Sequence, residues 1–442
     1  MIQFSKYTIF SKIRDSEKHF ILNQLTGNAD ILDSNEADRI SEFKSKEIIP
    51  ENGGFFQELL VKGYLSDPID EKKLFREKYL DFLDARDKDE VQLFFVTNYS
   101  CNFSCSYCYQ DQYNNPFTEL NRETIDAFFD YVRTEFAGRK KYITVFGGEP
   151  LLPGEKHKEL IQFLINVAAK EGLDLCFVTN GYTLASYSAI LKEGKIREIQ
   201  VTLDGTEKIH NTRRPLRNGG GTFDRIIAGI DDCLGLNIPV NLRMVIDKEN
   251  IYNLPDLSQF AIDKGWTTNP LFKTQIGRNY ELHHCQSSPD KLFSRITLYE
   301  QIAGLIRSNP QIIEFHKPSY SIAKFLSENG TLPDPLFDSC PACKTEWAFD
   351  YTGKIFSCTA TVGKSDECLG TFYPAVALNT ELVEAWQNRD VTAIDECRGC
   401  NLQLACGGGC GSIAKNRSGN ISSPDCRPIK ELLEIGFSSY FR

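Results

Sequence analysis

From residue 91 to about 309, short apolar runs alternate six times with longer amphipathic stretches, and this rhythm limits the possible folds more than any other feature. VQLFFVT precedes NRETIDAFFDYVRTEF, YITVF precedes EKHKELIQFLINVAAKEG, and LCFVT precedes LASYSAILKEG. EIQVTL then precedes TFDRIIAGIDDCLGL, PVNLRMVI precedes NLPDLSQFAIDKG, and LFKTQI precedes LFSRITLYEQIAGLIRS. β-Rich runs that are apolar throughout suit a parallel sheet covered by helices. Six βα units are too few for a closed eight-fold barrel, so an open, partial (β/α)6 barrel is expected. In such sheets the loops after the strand C-termini build the active site.

A chain of 442 residues is long enough for two or three domains, and its 41% apolar content supports full cores. Three units are expected: an α+β module over 1–90, the partial barrel over 91–309 and a cysteine-rich domain over 310–442. The net charge of −10 argues against nucleic-acid and anionic-membrane partners. No apolar run reaches membrane-spanning length, and MIQFSKYTIF lacks the apolar segment of a signal peptide, so a cytoplasmic location is expected. There, fifteen cysteines point to metal binding rather than disulfides.

Cys101, Cys105 and Cys108, in YSCNFSCSYCYQ, follow the first strand with spacing C-x3-C-x2-C and an aromatic residue, Tyr107, before the third. Three thiolates on one loop can hold three irons of a [4Fe–4S] cube and leave the fourth open. The motif resembles the signature of the radical S-adenosylmethionine (SAM) enzymes. That resemblance implies a cluster on these three cysteines with SAM on the open iron. It also gives roles to the later loops. FGGEP after the second strand (Gly147, Gly148, Glu149) matches the segment that holds the SAM amino group; the other reading is a tight turn. Thr202 and Asp204 end the fourth strand, near the ribose in family members. His210, Arg214 and Pro215 match a pattern whose arginine meets the SAM carboxylate, although a basic, solvated loop including Arg213 and Arg217 fits the same residues. Asn180 ends the third strand, as a cofactor contact or a turn residue.

Cysteine density rises again from Cys340. Cys343, Gly353 and Cys358 are spaced C-x9-G-x4-C, followed by Cys397, Cys400, Cys406 and Cys410 as C-x2-C-x5-C-x3-C, and then Cys426. This array resembles the SPASM extension of radical SAM enzymes, while a pair of zinc sites is the alternative for C-x2-C pairs. The resemblance implies two auxiliary [4Fe–4S] clusters, three clusters in all. One would use Cys343, Cys358 and Cys410 with Cys340 or Cys368, or leave that place open. The other would use Cys397, Cys400, Cys406 and Cys426. Cys176 and Cys233 read as core thiols, and His283, His284 and Cys285 as a polar loop rather than a metal site.

Before residue 91 there is no cysteine. KYTIF, HFILN and ADIL, then two helical stretches, resemble the winged-helix-like modules that clamp leader peptides at a sheet edge; a structural cap on the barrel is the alternative. DPIDEKKLFREKYLDFLDARDKDE reads as a solvated linking helix. For the family, the resemblance implies a flavodoxin- or ferredoxin-type electron donor, a 5′-deoxyadenosyl radical and abstraction of hydrogen from an unreactive C–H bond. No acid or base is needed for that abstraction, and Asp204 and Asp350 are catalytic candidates by position only. The expected substrate is a ribosomally made precursor peptide, cross-linked oxidatively through a thioether or carbon–carbon bond. Formylglycine formation of the sulfatase-maturating type is the alternative; there an aspartate follows the cysteine matching Cys358, where this chain has Thr359. A non-catalytic zinc or iron–sulfur scaffold is the reading of another class.

Overall fold

A computed structural model describes residues 2–46, 53–108, 110, 119–279 and 289–441. His283, His284 and Cys285 lie outside the described residues.

The N-terminal region pairs β1 (Gln3–Phe4) with β5 (Leu65–Ser66) and forms an antiparallel sheet from β2 (Thr8–Lys12), β3 (His19–Asn23) and β4 (Asn28–Leu32). ADIL thus belongs to a third strand of one sheet. Helices α1 (Ser34–Lys46) and α2 (Gly54–Val61) close one core, in which Ile21, Leu32, Ile40, Phe56 and Leu59 meet. The opposite face of the sheet carries Ile9, Phe20 and Leu22, which pack with C-terminal residues Leu433 and Phe437 and with Ala303. Helix α3 (Pro68–Lys88) starts where the Asp67 carboxylate accepts a hydrogen bond from Ile69 N at 2.9 Å, with Pro68 in the first turn. It has no fully buried residue. Leu74, Phe75, Tyr79 and Phe82 form its one apolar stripe and rest on the cluster around Phe337 and Leu404.

The six expected strands form β6 (Val91–Val96), β7 (Lys141–Phe146), β8 (Asp174–Thr179), β9 (Ile196–Thr202), β10 (Val240–Ile246) and β11 (Phe272–Arg278). They are parallel and lie side by side in chain order. Helices α4 (Arg122–Glu135), α5 (Glu155–Lys170), α6 (Leu184–Leu191), α8 (Phe223–Gly235), α9 (Leu254–Asp263) and α10 (Arg295–Ser308) follow them, with a short α7 (Glu207–Arg213) inserted after β9. Successive side chains alternate across a strand. Leu93, Phe95, Ile143, Val145, Leu175 and Phe177 are fully buried in the core with Phe128, Leu164 and Ile165. Gln92, Thr144, Cys176, Gln200 and Arg243 line the opposite side, a cavity of about 590 Å³. The strands are therefore not apolar throughout, and Cys176 belongs to a polar lumen rather than to the core. Cys233 is fully buried, as expected.

The C-terminal region extends the same sheet. Strand β12 (Glu346–Asp350) runs parallel to β6, with Glu346 beside Gln92 and Asp350 beside Val96. Strands β13 (Lys354–Phe356), β14 (Gly370–Thr371) and β15 (Ala377–Leu378) continue it antiparallel, giving ten strands in the order β11-β10-β9-β8-β7-β6-β12-β13-β14-β15. Helices α11 (Ile312–Phe315), α12 (Ala323–Asn329), α13 (Thr380–Gln387), α14 (Asp395–Arg398), α15 (Gln403–Cys406), α16 (Gly411–Ser418) and α17 (Ile429–Tyr440) complete the region.

Candidate functional site

The site forms at the C-terminal ends of β6 to β10. Cys101, Cys105 and Cys108 line the 590 Å³ cavity with Gly147, Gly148, Asn180, Thr202 and Arg214. The loop that carries the cysteines is zipped onto the segment after α7. Ser104 N donates to Pro215 O (2.9 Å), Ser106 N to Arg213 O (3.0 Å) and Arg217 N to Asn102 O (3.0 Å). Arg217 Nε adds a bond to Cys101 O at 2.8 Å. The RRPLR run thus fixes the cysteine loop through its backbone, whatever its side chains bind. Burial pushes the Cys101 thiol up to about 11, with the charge of Glu149 adding to it. Burial likewise pushes Cys105 up to about 12, against the pull of Arg214.

Gly147 and Gly148 are required by a close approach of two loops. A Cβ on Gly148 would lie 2.1 Å from Ser100 O, and one on Gly147, whose φ is +142°, 2.3 Å from Asn98 O. Gly148 N donates to Asn98 O (2.9 Å) and Glu149 N to Ser100 O (2.8 Å), which holds the FGGEP loop against the cysteine loop. The Glu149 side chain is fully buried and does not line the cavity. Its Oε1 accepts from Leu151 N (2.8 Å) and Thr179 Oγ1 (2.6 Å), and its Oε2 from Asn180 N (2.6 Å). The carboxylate ties the second and third loops together, and Gly147 and Gly148 line the cavity. Asn180 makes a turn and faces the cavity, its Oδ1 accepting from Tyr182 N (3.0 Å) and its Nδ2 donating to Asn102 (2.7 Å).

Arg214 is buried against the cysteines. Its Nη1 donates to the Tyr107 hydroxyl at 2.6 Å, and among the described residues its buried Nε has no partner. Such a guanidinium is suited to a carboxylate. Arg213, by contrast, is spent inside the protein: it binds Asp247 through two bonds of 2.9 Å and Asp204 at 3.3 Å. The reading of these arginines as a solvated loop is therefore corrected for Arg213 and Arg214. Asp204 is fully buried and absent from the cavity wall; its Oδ1 also accepts from Val245 N (3.1 Å). Asp350 accepts from the Tyr99 hydroxyl (2.8 Å), Thr352 N (2.9 Å) and Thr352 Oγ1 (2.6 Å). Both aspartates are hydrogen-bonded within the fold, and Asp204 lies near enough to Cys105 and Arg214 for its charge to act on both. His210 is buried and held neutral by desolvation, its Nδ1 accepting from Asp204 N. Arg243 on β10 faces the lumen with a buried, unpartnered Nε. A lone cation inside the apolar run VNLRMVI is the sequence signal for it.

The later cysteines gather in two groups. Burial raises Cys358, and the neighbouring Cys340 and Cys410 raise it further; Cys340 also neighbours Cys343. Burial pushes Cys397 up to about 11, with contributions from Cys406, Cys400 and Cys426. The Cys368 Sγ is directed at Gly370 O at 3.2 Å, and the residue packs against the core that holds Cys340, Cys343 and Cys358. One buried arginine that the sequence reading did not single out organises the region. Arg389 donates to Gly409 O, Gly408 O and Ser423 O, each at 3.0 Å, and so holds the loop before Cys410 to the segment before Cys426. Among the described residues no three His, Cys, Asp or Glu side chains converge on a single metal-ion position. All-thiol groups around a shared space fit iron–sulfur clusters, in which each ligand binds a different iron.

Residues 95–261 match the Radical SAM superfamily, so the partial barrel is a radical SAM domain. The chain is 33% identical over 173 residues to GTP 3′,8-cyclase of Campylobacter fetus (37% of this chain, 50% of that protein) and 30% identical over 172 residues to GTP 3′,8-cyclase of Nautilia profundicola (38% and 51%). The chain thus spans about half the length of these curated relatives. Among solved structures, the fold is similar to anSMEcpe with bound AdoMet and the Cp18Cys peptide (TM-score 0.62, 17% identity, 80% of this chain and 98% of that one). It is also similar to Streptococcus suis SuiB bound to its precursor peptide SuiA (TM-score 0.51, 15% identity, 97% and 99%).

Proposed function

We propose that the chain is a radical SAM enzyme that oxidatively modifies a ribosomally made peptide. The observation that carries the radical SAM part is the convergence of Cys101, Cys105, Cys108 and Arg214 on one cavity at the strand ends. A [4Fe–4S] cluster with SAM on its open iron supplies a carbon-centred radical able to take hydrogen from a C–H bond. This chain's own residues do the rest. The three thiols hold the cluster, the Gly147–Gly148 backbone and Arg214 orient SAM, and the polar lumen receives the substrate. Cys340, Cys343, Cys358 and Cys410, with Cys397, Cys400, Cys406 and Cys426, would hold two further clusters, which would supply electron-accepting capacity beside the substrate. A flavodoxin- or ferredoxin-type protein supplies the first electron.

Support for a peptide comes from the extent of the likeness. SuiB, whose solved form holds a precursor peptide, shares its fold with nearly all of this chain, both terminal regions included, whereas the GTP cyclase likeness covers 37% of it. The identity to GTP 3′,8-cyclases favours a nucleotide as the second reading. Thr359 lines the cavity, so the departure from the formylglycine pattern falls at the site itself and weighs against that chemistry.

The test is the intact mass of short peptides encoded beside the gene, each co-expressed anaerobically with the enzyme or with Cys105→Ala. A loss of about 2 mass units with the wild type alone is expected. An unchanged peptide together with turnover of GTP would establish the nucleotide reading instead.

A further inference from the structure

Strand β11 ends the ten-stranded sheet, and among the described residues no further strand pairs with its outer edge, where Thr274 Oγ1 donates to Phe315 O at 2.6 Å. Val240 N donates to Leu271 O (2.9 Å) and Asn279 N to Ile246 O (2.8 Å), so the odd-numbered residues from 271 to 279 face β10. Thr274 and Ile276 therefore turn their backbone groups outward, and among the described residues no backbone partner meets them. Buried or half-buried peptide groups require a partner, and an open edge is a template for another strand.

This edge forms one wall of a second cavity, of about 750 Å³, between β11, α10, the 316–324 segment and α17. Arg278, Arg295, Lys317, Lys324 and Arg427 line it, and among the described residues no aspartate or glutamate does. Arg295 donates through Nη2 to Asp425 at 2.7 Å, but among the described residues its buried Nη1 has no partner. Burial lowers His316 to about 4, so its ring is neutral near pH 7 and the excess charge belongs to the lysines and arginines. Arg278 also lines the cavity that contains Cys101, Cys105 and Cys108, and Cys410 lines this one. The two cavities therefore adjoin.

We propose that β11 takes up the substrate as an added strand, and that the cationic wall selects a peptide segment bearing acidic side chains. Strand addition satisfies the outward N–H and C=O groups of Thr274 and Ile276 at the spacing of a polypeptide. Alternate side chains of the added strand then point toward the arginines and lysines. A nucleotide offers charge to this wall but no ladder of amides to this edge. The inference rests on the peptide reading above and adds the binding mode and the side-chain class.

The full-length, cluster-reconstituted enzyme is titrated anaerobically with a fluorescein-labelled decapeptide of alternating Glu and Val, and with its Gln/Val counterpart. The Glu peptide is expected to bind at least about tenfold tighter at low salt, and the advantage to shrink at high salt. Ester replacement of single amides in the Glu peptide should weaken binding at every second position. A Lys317→Gln/Lys324→Gln double variant should lose much of the preference while cleaving SAM without peptide at the wild-type rate. Equal affinity for both peptides, no binding of the Glu peptide, or ester effects without period two would overturn the proposal. If a peptide without acidic residues is modified at full rate, the inference falls while the maturase reading stands. Turnover of GTP alone sinks both.

Discussion

At the scale of single residues, the site depends on a few side chains whose partners lie far away in the chain. Arg214 holds an unused Nε beside the cysteines. Arg214→Gln is expected to weaken SAM binding by about 10- to 100-fold, the worth of a charge-assisted hydrogen bond, with Arg214→Lys intermediate; anaerobic equilibrium dialysis against labelled SAM reads this. Gly148→Ala drives a methyl group into Ser100 O and displaces the cysteine loop. Iron should then drop from about twelve to about eight atoms per chain, the auxiliary clusters surviving. Arg389→Met has the opposite signature, sparing the first cluster and losing the others, because only the C-terminal loops lose their clasp. The cysteines themselves were legible because spacing is a local pattern. Arg389 was not, since four carbonyls between residues 408 and 423 define its role and no short motif marks them. Asp204 and Asp350 show the converse: a strand-end position suggests chemistry, but only the fold reveals which groups their oxygens bond.

Among the elements, all six barrel strands stand where the apolar runs place them, since burial on the helix-covered face imposes that pattern. The inward face could not be read as readily, because its polar residues are scattered singly among apolar ones. The short α7 also escaped, as IHNTRRPLRNGGG carries glycines and charges that read as loop. It forms around a buried ionic knot in which Arg213 joins Asp204 and Asp247. Removing the arginine strands two buried carboxylates. Arg213→Met should therefore cost about 3–5 kcal/mol and, through the Ser106–Arg213 backbone bond, loosen the cysteine loop. Urea unfolding of the anaerobic protein measures the first effect, and the intensity of the SAM-cluster electron paramagnetic resonance signal the second.

Across the whole molecule, the N-terminal sheet and the C-terminal helix close one core. The Phe20 and Phe437 rings stack at 4.4 Å between centroids. Phe20→Ala should cost about 3–5 kcal/mol, and differential scanning calorimetry should show the loss in the transition that includes the C-terminal region. Sequence alone divided the chain at about 309, because the βα rhythm ends there, yet β12 joins the barrel sheet beside β6. That pairing has a consequence for how the protein is made. The strand that leads into Cys101 receives its second neighbour only from residues 346–350, and Tyr99 meets its partner Asp350 across 251 positions of chain. During synthesis β6 therefore remains a bare edge until most of the protein has left the ribosome. The foundation of the first cluster's loop is one of the last parts to set, so iron delivered to a nascent chain meets an unfinished socket.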